Sequence, residues 1–405
     1  MNKNIWIINQ YSGSKHHKKE YRSPSIAKEF VNLGYSVTII SSTHSHHFTH
    51  APEVTKLYTL DEIDNVKYLW IKTKKYSESK SIKRIFSMFE FVYKLFFIPL
   101  EEVERPDYIF VSSPSPLPIL NGIYFKRKFH AKLIFEVRDL WPLSIIELGN
   151  VSSKNIFVVF LKFIEKLAYK KSDYVISVLS HAKEYMMSAG MNKSKFYYVP
   201  NGIDKSLINT QTKAKEELLA KIPVDKFIVG YTGSLGIAND IYTFINVAES
   251  LKDCKDYFFV LVGDGSEKDK LLKYAKGKNL DNILFLGSVA RNEVQSVLQT
   301  FDLCYLGLQN QPLFKYGVSP TKLFDYMAAA KPIVYVIDSG NHPVMDASCG
   351  YEAIPGDVES IVNVIIKLDS LSQEERDAMG KNGYEYLQEN YTYDSLAKKI
   401  IDIIK

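Results

Sequence analysis

Short runs of apolar residues recur along the chain, and segments with a helical spacing of apolar residues separate them. Near-continuous runs rich in β-branched and aromatic residues are typical of strands buried on both faces of a parallel sheet. This alternation predicts an α/β protein built from βαβ units. The predicted strands lie at 5–8, 36–40, 108–111, 132–135, 174–177, 227–231, 258–262, 283–286, 303–306 and 332–336.

The predicted strands form two series, separated by a segment at 199–204 that contains Pro200, Asn201 and Gly202. These are turn residues, and the chain of 405 residues is long enough to bury two cores. We therefore predict two doubly wound, Rossmann-like domains that divide near residue 200. Ligands of open parallel sheets bind beyond the carboxyl ends of the strands, so the two domains are expected to face each other across a cleft.

The composition of the chain limits the kinds of partner that it is expected to bind. The net charge of +5 is too small to indicate nucleic-acid binding, but it suits anionic ligands or an anionic membrane surface. Cys254, Cys304 and Cys349 are widely spaced, so neither a disulfide framework nor a zinc site is predicted. The sequence shows no secretory signal and no apolar run of about 18 residues, and a cytoplasmic location is expected.

The segment 82–100 departs from the βαβ rhythm, because it is basic at its start and heavily aromatic afterwards. Such a segment could lie in a membrane interface, or it could form a buried helix that covers a sheet face. We expect the buried helix. The exposure of Phe86, Phe89 and Phe97 distinguishes the two arrangements.

The segment 316–332 carries the strongest candidate chemistry. Gly317, Ser319 and Pro320 form a turn before a helix, and the free N–H groups at a helix start bind phosphate oxygens. Lys322 in the first turn adds a positive charge for a diphosphate, and Asp325 on the same helix face can accept hydrogen bonds from ribose hydroxyls. The alternative is an ordinary amphipathic helix with a solvated Lys322 and Asp325.

Three glycine turns at successive strand ends extend this site. They lie at 231–236, 262–267 and 285–289, and each brings backbone N–H groups to the start of a following segment. Such turns can also serve only helix–sheet packing. Together with the helix at 321 they predict a nucleotide-binding rim, with contacts from Gly233, Ser234, Gly236, Gly263, Gly265 and Val289.

In the first half, Glu136, Arg138 and Asp139 follow a predicted buried strand. A carboxylate there could orient a sugar hydroxyl or act as a base. Alternatively, Arg138 pairs with Glu136 or Asp139 and holds the loop in place. Ser113, within 112–116, also follows a strand and could line the same cleft.

Four histidines, at positions 44, 46, 47 and 50, invite a metal-site interpretation. They lack a compact framework with cysteines or carboxylates, so no metal is predicted. We expect a solvated loop in which a single histidine faces the cleft.

The order of these motifs resembles the GT-B glycosyltransferases of family 4, particularly the bacterial O-antigen and capsule amino-sugar transferases of the N-acetyl-fucosamine type. The resemblance covers nearly the whole chain. It is carried most specifically by 136–142 (EVRDLWP) and 320–327 (PTKLFDYM), with further matches at 20–22, 112–116 and 199–204. The end of the chain, from Asn390-Tyr391-Thr392-Tyr393 onward, resembles the family's return helix.

The resemblance implies an acceptor-binding domain at 1–200, completed by a return helix at 388–405, and a donor-binding domain at 201–387. It implies the transfer of a sugar from a nucleotide-sugar donor, expected to be UDP-linked, to a lipid-linked glycan. The transfer would be retaining and metal-independent, and no cofactor is expected. The enzyme would then act at the inner face of the cytoplasmic membrane. Lys322 would bind the diphosphate and Asp325 the ribose.

Further roles follow from the same resemblance. Gly317 stands where the wider family has its first glutamate, so contacts to the donor sugar would come from backbone N–H groups around Val318 and Ser319, or from elsewhere. Basic residues that often follow the Gly233 turn in the family are replaced here by Ala238 and Asn239. The catalytic candidates are Glu136, Arg138 and Asp139, and the acceptor-binding candidates are Arg22, His46 and Ser113.

Other functions remain as alternatives. A GT-B epimerase or a phosphorylase-like enzyme would act on a nucleotide sugar, and a non-catalytic nucleotide-sugar-binding protein could help assemble a polysaccharide complex. An NAD(P)-dependent oxidoreductase is disfavoured, because the first strand leads into residues 9–14 without the three-glycine turn. No glycine-rich turn ends in the Lys-Ser or Lys-Thr of a Walker-type NTPase.

Overall fold

A computed structural model describes residues 3–14, 16–17, 22–45, 48–76, 82–209 and 212–405. Two compact units divide the chain: residues 1–200 with 393–405, and residues 201–392. The strands are β1 Asn4–Ile8, β2 Ser36–Ser42, β3 Tyr58–Ile63, β4 Val66–Ile71, β5 Tyr108–Ser112, β6 Lys132–Val137, β7 Tyr174–Ser177, β8 Phe196–Tyr198, β9 Phe227–Thr232, β10 Tyr257–Val262, β11 Ile283–Gly287, β12 Leu303–Gly307, β13 Ile333–Val336 and β14 Gly350–Glu352.

Sixteen α-helices connect and cover these strands within the described residues. They are α1 Arg22–Asn32, α2 Ile82–Leu95, α3 Ile119–Phe129, α4 Leu143–Glu147, α5 Ile156–Lys171, α6 Lys183–Ser188, α7 Lys205–Asn209, α8 Glu216–Leu219, α9 Ile241–Ser250, α10 Lys268–Gly277, α11 Val294–Leu298, α12 Thr321–Ala328, α13 Pro343–Asp346, α14 Val358–Asp369, α15 Gln373–Asn390 and α16 Tyr393–Ile404.

The first unit contains an eight-stranded sheet in the order β3-β4-β2-β1-β5-β6-β7-β8. All neighbouring strands pair in parallel except β3 and β4, which form an antiparallel hairpin at the edge. Its central strands are buried, as expected for strands with helices on both faces. The sheet therefore presents the carboxyl ends of β5 and β6 at one edge, next to Ser113 and Glu136.

The second unit contains a six-stranded parallel sheet in the order β11-β10-β9-β12-β13-β14. This is the doubly wound order of dinucleotide-binding domains, in which the direction of strand addition reverses between β9 and β12. Those two strands pair only at Leu303 with Val229 and at Cys304 with Gly230. Beyond these pairs β9 and β12 diverge toward their carboxyl ends, where such sheets bind ligands.

The structure shows the predicted α/β fold with two Rossmann-like parallel sheets. It adds strands that the apolar runs did not indicate. β3 contains charged residues and therefore gives no apolar run, while β8 and β14 are too short to show an apolar pattern. The helix that packs on α1 in the first unit, α16, starts at Tyr393, later than the expected residue 388, because residues 388–390 complete α15.

The expectation that segment 82–100 forms a buried helix covering a sheet face is wrong for one of its faces. One face of α2 is buried through Met88, Phe91 and Leu95. The opposite face is exposed, and Phe86 and Phe97 are 68% and 61% accessible. The helix therefore has apolar residues on its exposed face as well as on its buried face.

No helix in the described ranges is both long enough and apolar enough to cross a bilayer.

Candidate functional site

The three predicted glycine turns of the second unit lie side by side, because they follow the adjacent strands β9, β10 and β11. The Gly233 N–H donates to the Val262 carbonyl at 2.9 Å, and the Gly263 N–H donates to the Gly287 carbonyl at 2.8 Å. A second bond joins the first two turns, since the Leu235 N–H donates to the carbonyl of Asp264 at 2.9 Å. The turns therefore form one hydrogen-bonded corner of backbone, the glycine corner (residues 233–236, 263–266 and 287–289).

Gly263 permits the close approach of two of these turns. A Cβ atom at this position would overlap the carbonyl oxygen of Gly233, and the residue has a φ of +149°, which favours glycine. We expect Gly263→Ala to lower the free energy of unfolding of the second unit by about 2 kcal/mol or more, because backbone rather than a side chain must move. Thermal unfolding would measure the loss.

Gly277 offers a matched control for that substitution. It lies at the end of α10, and an added Cβ would meet no atom within 4 Å. Gly277→Ala should leave stability unchanged or raise it by up to about 1 kcal/mol. If both variants were equally stable, the glycine corner would not depend on backbone contact at Gly263.

Helix α12 is fixed to the glycine corner by Tyr326. Its buried hydroxyl accepts a hydrogen bond from the Thr232 N–H at 3.0 Å and donates to the Thr232 carbonyl at 3.3 Å. Thr232 is the last residue of β9, beyond the point where β9 and β12 stop pairing. Tyr326 thereby replaces a missing strand partner, and it holds the start of α12 beside the Gly233 turn.

The first turn of α12 has no side-chain cap. The Leu323 N–H donates to the Pro320 carbonyl at 3.2 Å, so the N–H groups of Thr321 and Lys322 are the ones that an anion could reach. Lys322 lies in this turn and runs along Gly233, whose added Cβ would approach the Lys322 Cδ to 2.7 Å. Its Nζ donates to Asn239 Oδ1 at 2.5 Å and lies 5.2 Å from the centre of the Tyr231 ring. The ammonium group is therefore held at the glycine corner.

Burial lowers the pKa of Lys322 to about 8, and the nearby Asp325 carboxylate opposes that shift. A half-buried ammonium group with few solvent contacts gains more from a bound phosphate than a solvated one. The alternative of an ordinary amphipathic helix, with Lys322 and Asp325 both solvated, does not hold. Lys322 is half-buried and Asp325 is buried.

Asp325 is engaged by a residue that the sequence did not indicate. Arg291 donates to both carboxylate oxygens of Asp325, from Nη1 at 2.8 Å and Nη2 at 2.6 Å. Burial raises the pKa of Asp325, and the Arg291 guanidinium counteracts the shift. The Arg291 side chain is the more exposed partner of the pair.

The turn before α12 is more occupied than expected. The Gly317 N–H donates to the Phe314 carbonyl, and the Val318 N–H donates to Asn341 Oδ1 at 2.8 Å. Ser319 accepts from Asn201 through both its hydroxyl and its carbonyl. The Val318 N–H, which was expected to contact the donor sugar together with that of Ser319, therefore cannot do so without first breaking its bond to Asn341.

In the first unit, Arg22 and Glu136 form a buried ion pair. Arg22 donates from Nε to Glu136 Oε1 at 3.1 Å, and its other nitrogens donate to the carbonyls of Val199 and Pro200. Ser112 donates to the second Glu136 oxygen at 2.6 Å. Arg22 is 1% accessible, so its expected acceptor contact and the expected catalytic role of Glu136 are corrected to a structural role.

Ser113 also has a structural contact instead of the expected acceptor contact. It is buried, and its hydroxyl accepts a hydrogen bond from the Arg138 N–H at 2.8 Å. Glu136 pairs with Arg22 rather than with Arg138, which is half-buried. The Ser113 hydroxyl thus holds the start of the loop after β6.

Asp139 remains a candidate for chemistry. It is half-buried and accepts a hydrogen bond from the Ser144 hydroxyl at the start of α4. Burial raises the pKa of Asp139, and the bond from Ser144 acts in the opposite direction. The carboxylate of Glu136 is neutralised by Arg22, whereas the Ser144 hydroxyl that donates to Asp139 is uncharged. Asp139 is therefore the carboxylate of this loop that is retained as a candidate.

The histidine segment does not gather a metal site among the residues that the structure places. His44 Nε2 lies 2.7 Å from the Tyr76 carbonyl and also accepts from the Tyr76 N–H at 3.1 Å, so it is tied to backbone rather than solvated. No group of three or more potential metal ligands occurs within the described ranges. His46, the expected acceptor contact, lies outside the described residues.

The structure thus gathers most predicted donor residues in one place. Gly233, Ser234, Gly236, Gly263, Gly265 and the half-buried Val289 lie on the glycine corner, with Lys322 beside it. Arg291, Asn239 and Asn341 were missed. Arg291 lies two residues beyond the turn at 285–289, so extending that motif along the loop would have found it. Asn239 was noted only as a replacement for the family's basic residues, and Asn341 gave no signal.

Two family models match the chain, one for each half. The glycosyltransferase family 4 model matches residues 25–207, and the glycosyl transferases group 1 model matches residues 214–386. The two halves of the chain are GT-B glycosyltransferase domains. The amino-sugar subgroup that the motifs resemble is a finer assignment, which these matches leave open.

Two curated relatives are glycosyltransferases. The chain is 24% identical over 286 residues to an uncharacterized glycosyltransferase of Methanocaldococcus jannaschii, covering 69% of this chain and 70% of that protein. It is 23% identical over 219 residues to TuaH of Bacillus subtilis, a glycosyltransferase provisionally named for teichuronic acid biosynthesis. That match covers 54% of this chain and about half (52%) of TuaH.

Solved GT-B structures share the fold at low identity. Sucrose-phosphate synthase from Thermosynechococcus elongatus has a TM-score of 0.73 at 15% identity, covering 100% of this chain and 98% of that one. HepE of Anabaena, solved in complex with UDP and glucose, has a TM-score of 0.65 at 16% identity, with 100% and 99% coverage.

Proposed function

We propose that this GT-B protein is a retaining, metal-independent glycosyltransferase. In this proposal it moves a sugar, an N-acetylated amino sugar, from a UDP-linked donor to a lipid-linked or polysaccharide acceptor in surface polysaccharide biosynthesis. The observation that carries it is the glycine corner, where the uncapped start of α12 and the Lys322 ammonium group converge. A UDP donor is supported by HepE, and polysaccharide synthesis by the name of TuaH.

The chemistry of the corner suits a leaving diphosphate. When the bond to the anomeric carbon breaks, negative charge grows on the leaving phosphate oxygen. Backbone N–H groups at a helix start and a fixed ammonium group stabilise that charge most when they are already in position. Lys322 and α12 would therefore lower the barrier without a metal ion, while the leaving diphosphate helps to deprotonate the acceptor.

A two-step experiment tests this function. A thermal-shift screen over UDP, GDP, dTDP and CMP sugars should raise the melting temperature only with UDP compounds, because a ligand of the folded state stabilises it. UDP release should then require a lipid-linked acceptor. Turnover of the donor without acceptor would indicate an epimerase, and binding without any transfer in an acceptor screen would indicate a non-catalytic binding protein.

We expect Asp139→Asn to lower turnover about a hundredfold while donor affinity stays within about twofold, because an orienting carboxylate acts on the acceptor and not on the nucleotide. Steady-state kinetics and calorimetry would measure the two effects. Ser144→Ala is the control, since it removes only the hydroxyl that donates to Asp139. Equal losses of turnover and donor affinity, or an equal loss of stability in both variants, would make Asp139 structural.

A further inference from the structure

The outward face of α2 is apolar, although a surface helix normally presents polar residues to solvent. Ile82, Phe86 and Tyr93 are exposed at helical spacing, and Phe97 follows the helix on the same side, with its ring 5.1 Å from that of Tyr93. The buried face of α2 already provides the packing that holds the helix on the first unit. The exposed residues are therefore not needed for folding.

Helix α5 extends this apolar surface. Ile156 is 88% accessible and Phe163 is 62% accessible, and they lie seven residues apart on one helix face. The rings of Phe89 and Phe160 lie 6.0 Å apart and bring α2 to α5. We call the surface formed by Ile82, Phe86, Tyr93, Phe97, Ile156 and Phe163 the aromatic patch. A contiguous exposed apolar surface of this kind marks an interaction site.

Basic side chains accompany the aromatic patch. Helices α2, α3 and α5 carry many lysines and arginines but only two acidic residues, Glu90 and Glu165. Glu90 pairs with Lys94 at 2.7 Å, and Glu165 lies on the buried face of α5. The exposed glutamates Glu101 and Glu102 follow Phe97 in the chain. The exposed basic residues of the three helices are Lys83, Arg127, Lys128, Lys162, Lys166, Lys170 and Lys171.

The combination of exposed aromatic and basic side chains indicates which partner fits the aromatic patch. Aromatic and aliphatic side chains insert at the boundary of headgroups and acyl chains, while neighbouring lysines attract anionic headgroups. A second copy of the chain fits less well, because a two-fold interface would bring each basic helix face against its own copy. The charge of the surface thus complements an anionic lipid layer.

We propose that the aromatic patch docks the first unit on an anionic membrane surface, with Phe86, Phe97, Ile156 and Phe163 inserted and Lys83, Lys162 and Lys166 in contact with headgroups. This inference rests on the proposed function, because docking would bring the enzyme to a lipid-linked acceptor that lies in such a membrane. The surface itself belongs to the first unit, and the donor site belongs to the second. Their roles can therefore be tested separately.

Vesicle flotation of the full chain tests the proposal. The protein should float with vesicles of phosphatidylglycerol and phosphatidylcholine and bind pure phosphatidylcholine far less. Phe86→Ser/Phe97→Ser/Ile156→Ser/Phe163→Ser should weaken partitioning about tenfold or more, because it removes the inserted apolar surface. Lys83→Glu/Lys162→Glu/Lys166→Glu should weaken binding to anionic vesicles about a hundredfold, since each basic residue contributes about fivefold.

The matched control is Val224→Ser/Ile354→Ser, which removes exposed apolar side chains from the second unit and should leave flotation unchanged. Calorimetry with UDP should give the same affinity for all variants, so a loss of flotation with intact UDP binding separates docking from donor binding. Wild-type protein that does not float would overturn the proposal. A dimer in sedimentation that the serine variant dissociates, without vesicle binding, would show that a second copy occupies the aromatic patch.

Discussion

Replacing Arg22 with methionine is expected to destabilise the first unit by about 3–5 kcal/mol, because it leaves a buried carboxylate without its partner. Glu136 would keep only the hydrogen bond from Ser112, and the carbonyls of Val199 and Pro200 would lose their donors. Because both partners are almost inaccessible, water cannot replace the lost bonds. The substitution thus removes a buried ion pair and two buried hydrogen bonds to backbone at once.

Tryptophan fluorescence makes this measurement specific. The three tryptophans, Trp6, Trp70 and Trp141, all lie in the first unit, so their emission during urea unfolding reports that unit and not the second. The control is Lys67→Met, which breaks the exposed ion pair between Lys67 and Glu104. An exposed pair contributes about 1 kcal/mol or less, so this variant should unfold close to the wild type.

A double variant sharpens the interpretation. Arg22→Met/Glu136→Leu removes both charges and should lose less stability than Arg22→Met alone, since no uncompensated charge stays buried. Wild-type stability of Arg22→Met, together with a selective loss of acceptor affinity, would contradict the structural role and restore the acceptor contact first expected for Arg22.

The second large effect concerns Lys322. Lys322→Ala should weaken UDP binding by about 1.5–3 kcal/mol, or about 10- to 150-fold, because a charge-assisted hydrogen bond to the diphosphate is lost. Calorimetry would measure the change. Lys331→Ala is the control, since this lysine of the same unit donates to the Gln299 carbonyl at its surface and should not affect UDP affinity.

The pKa of Lys322 predicts a pH dependence of UDP affinity that a lysine with only a packing role would not give. The amine is charged below its pKa of about 8 and largely neutral above it. A bound diphosphate favours the charged form, so UDP affinity should be constant below about pH 7.5 and fall by up to about tenfold per pH unit above about pH 8. Lys322→Ala should remove this dependence, whereas an unchanged pH profile would remove Lys322 from the diphosphate site.

The strands that could be predicted are those buried on both faces. β9 and β10, for example, are nearly continuous apolar runs, and this pattern alone indicates that they are buried. β3 faces solvent in part and includes Asp61 and Glu62, so its pattern is weak. The face of α2 could not be predicted, because its apolar residues do not distinguish a covered face from one that remains exposed.

The candidate site was predictable where local sequence fixes the geometry. A glycine turn after a strand and a lysine in the first turn of a helix are local features, and they lie together because parallel strands end at one edge. The ion pairs were not predictable, since Arg22 and Glu136 are 114 residues apart and Arg291 and Asp325 are 34 apart. Partners at such separations are chosen by the tertiary fold.

A crystal structure of the UDP complex would show where the diphosphate binds. We expect diphosphate oxygens within about 3.2 Å of backbone nitrogens at the start of α12, with the Lys322 Nζ turned from Asn239 toward the phosphate. A diphosphate bound away from the glycine corner, with Lys322 still donating to Asn239, would contradict this expectation.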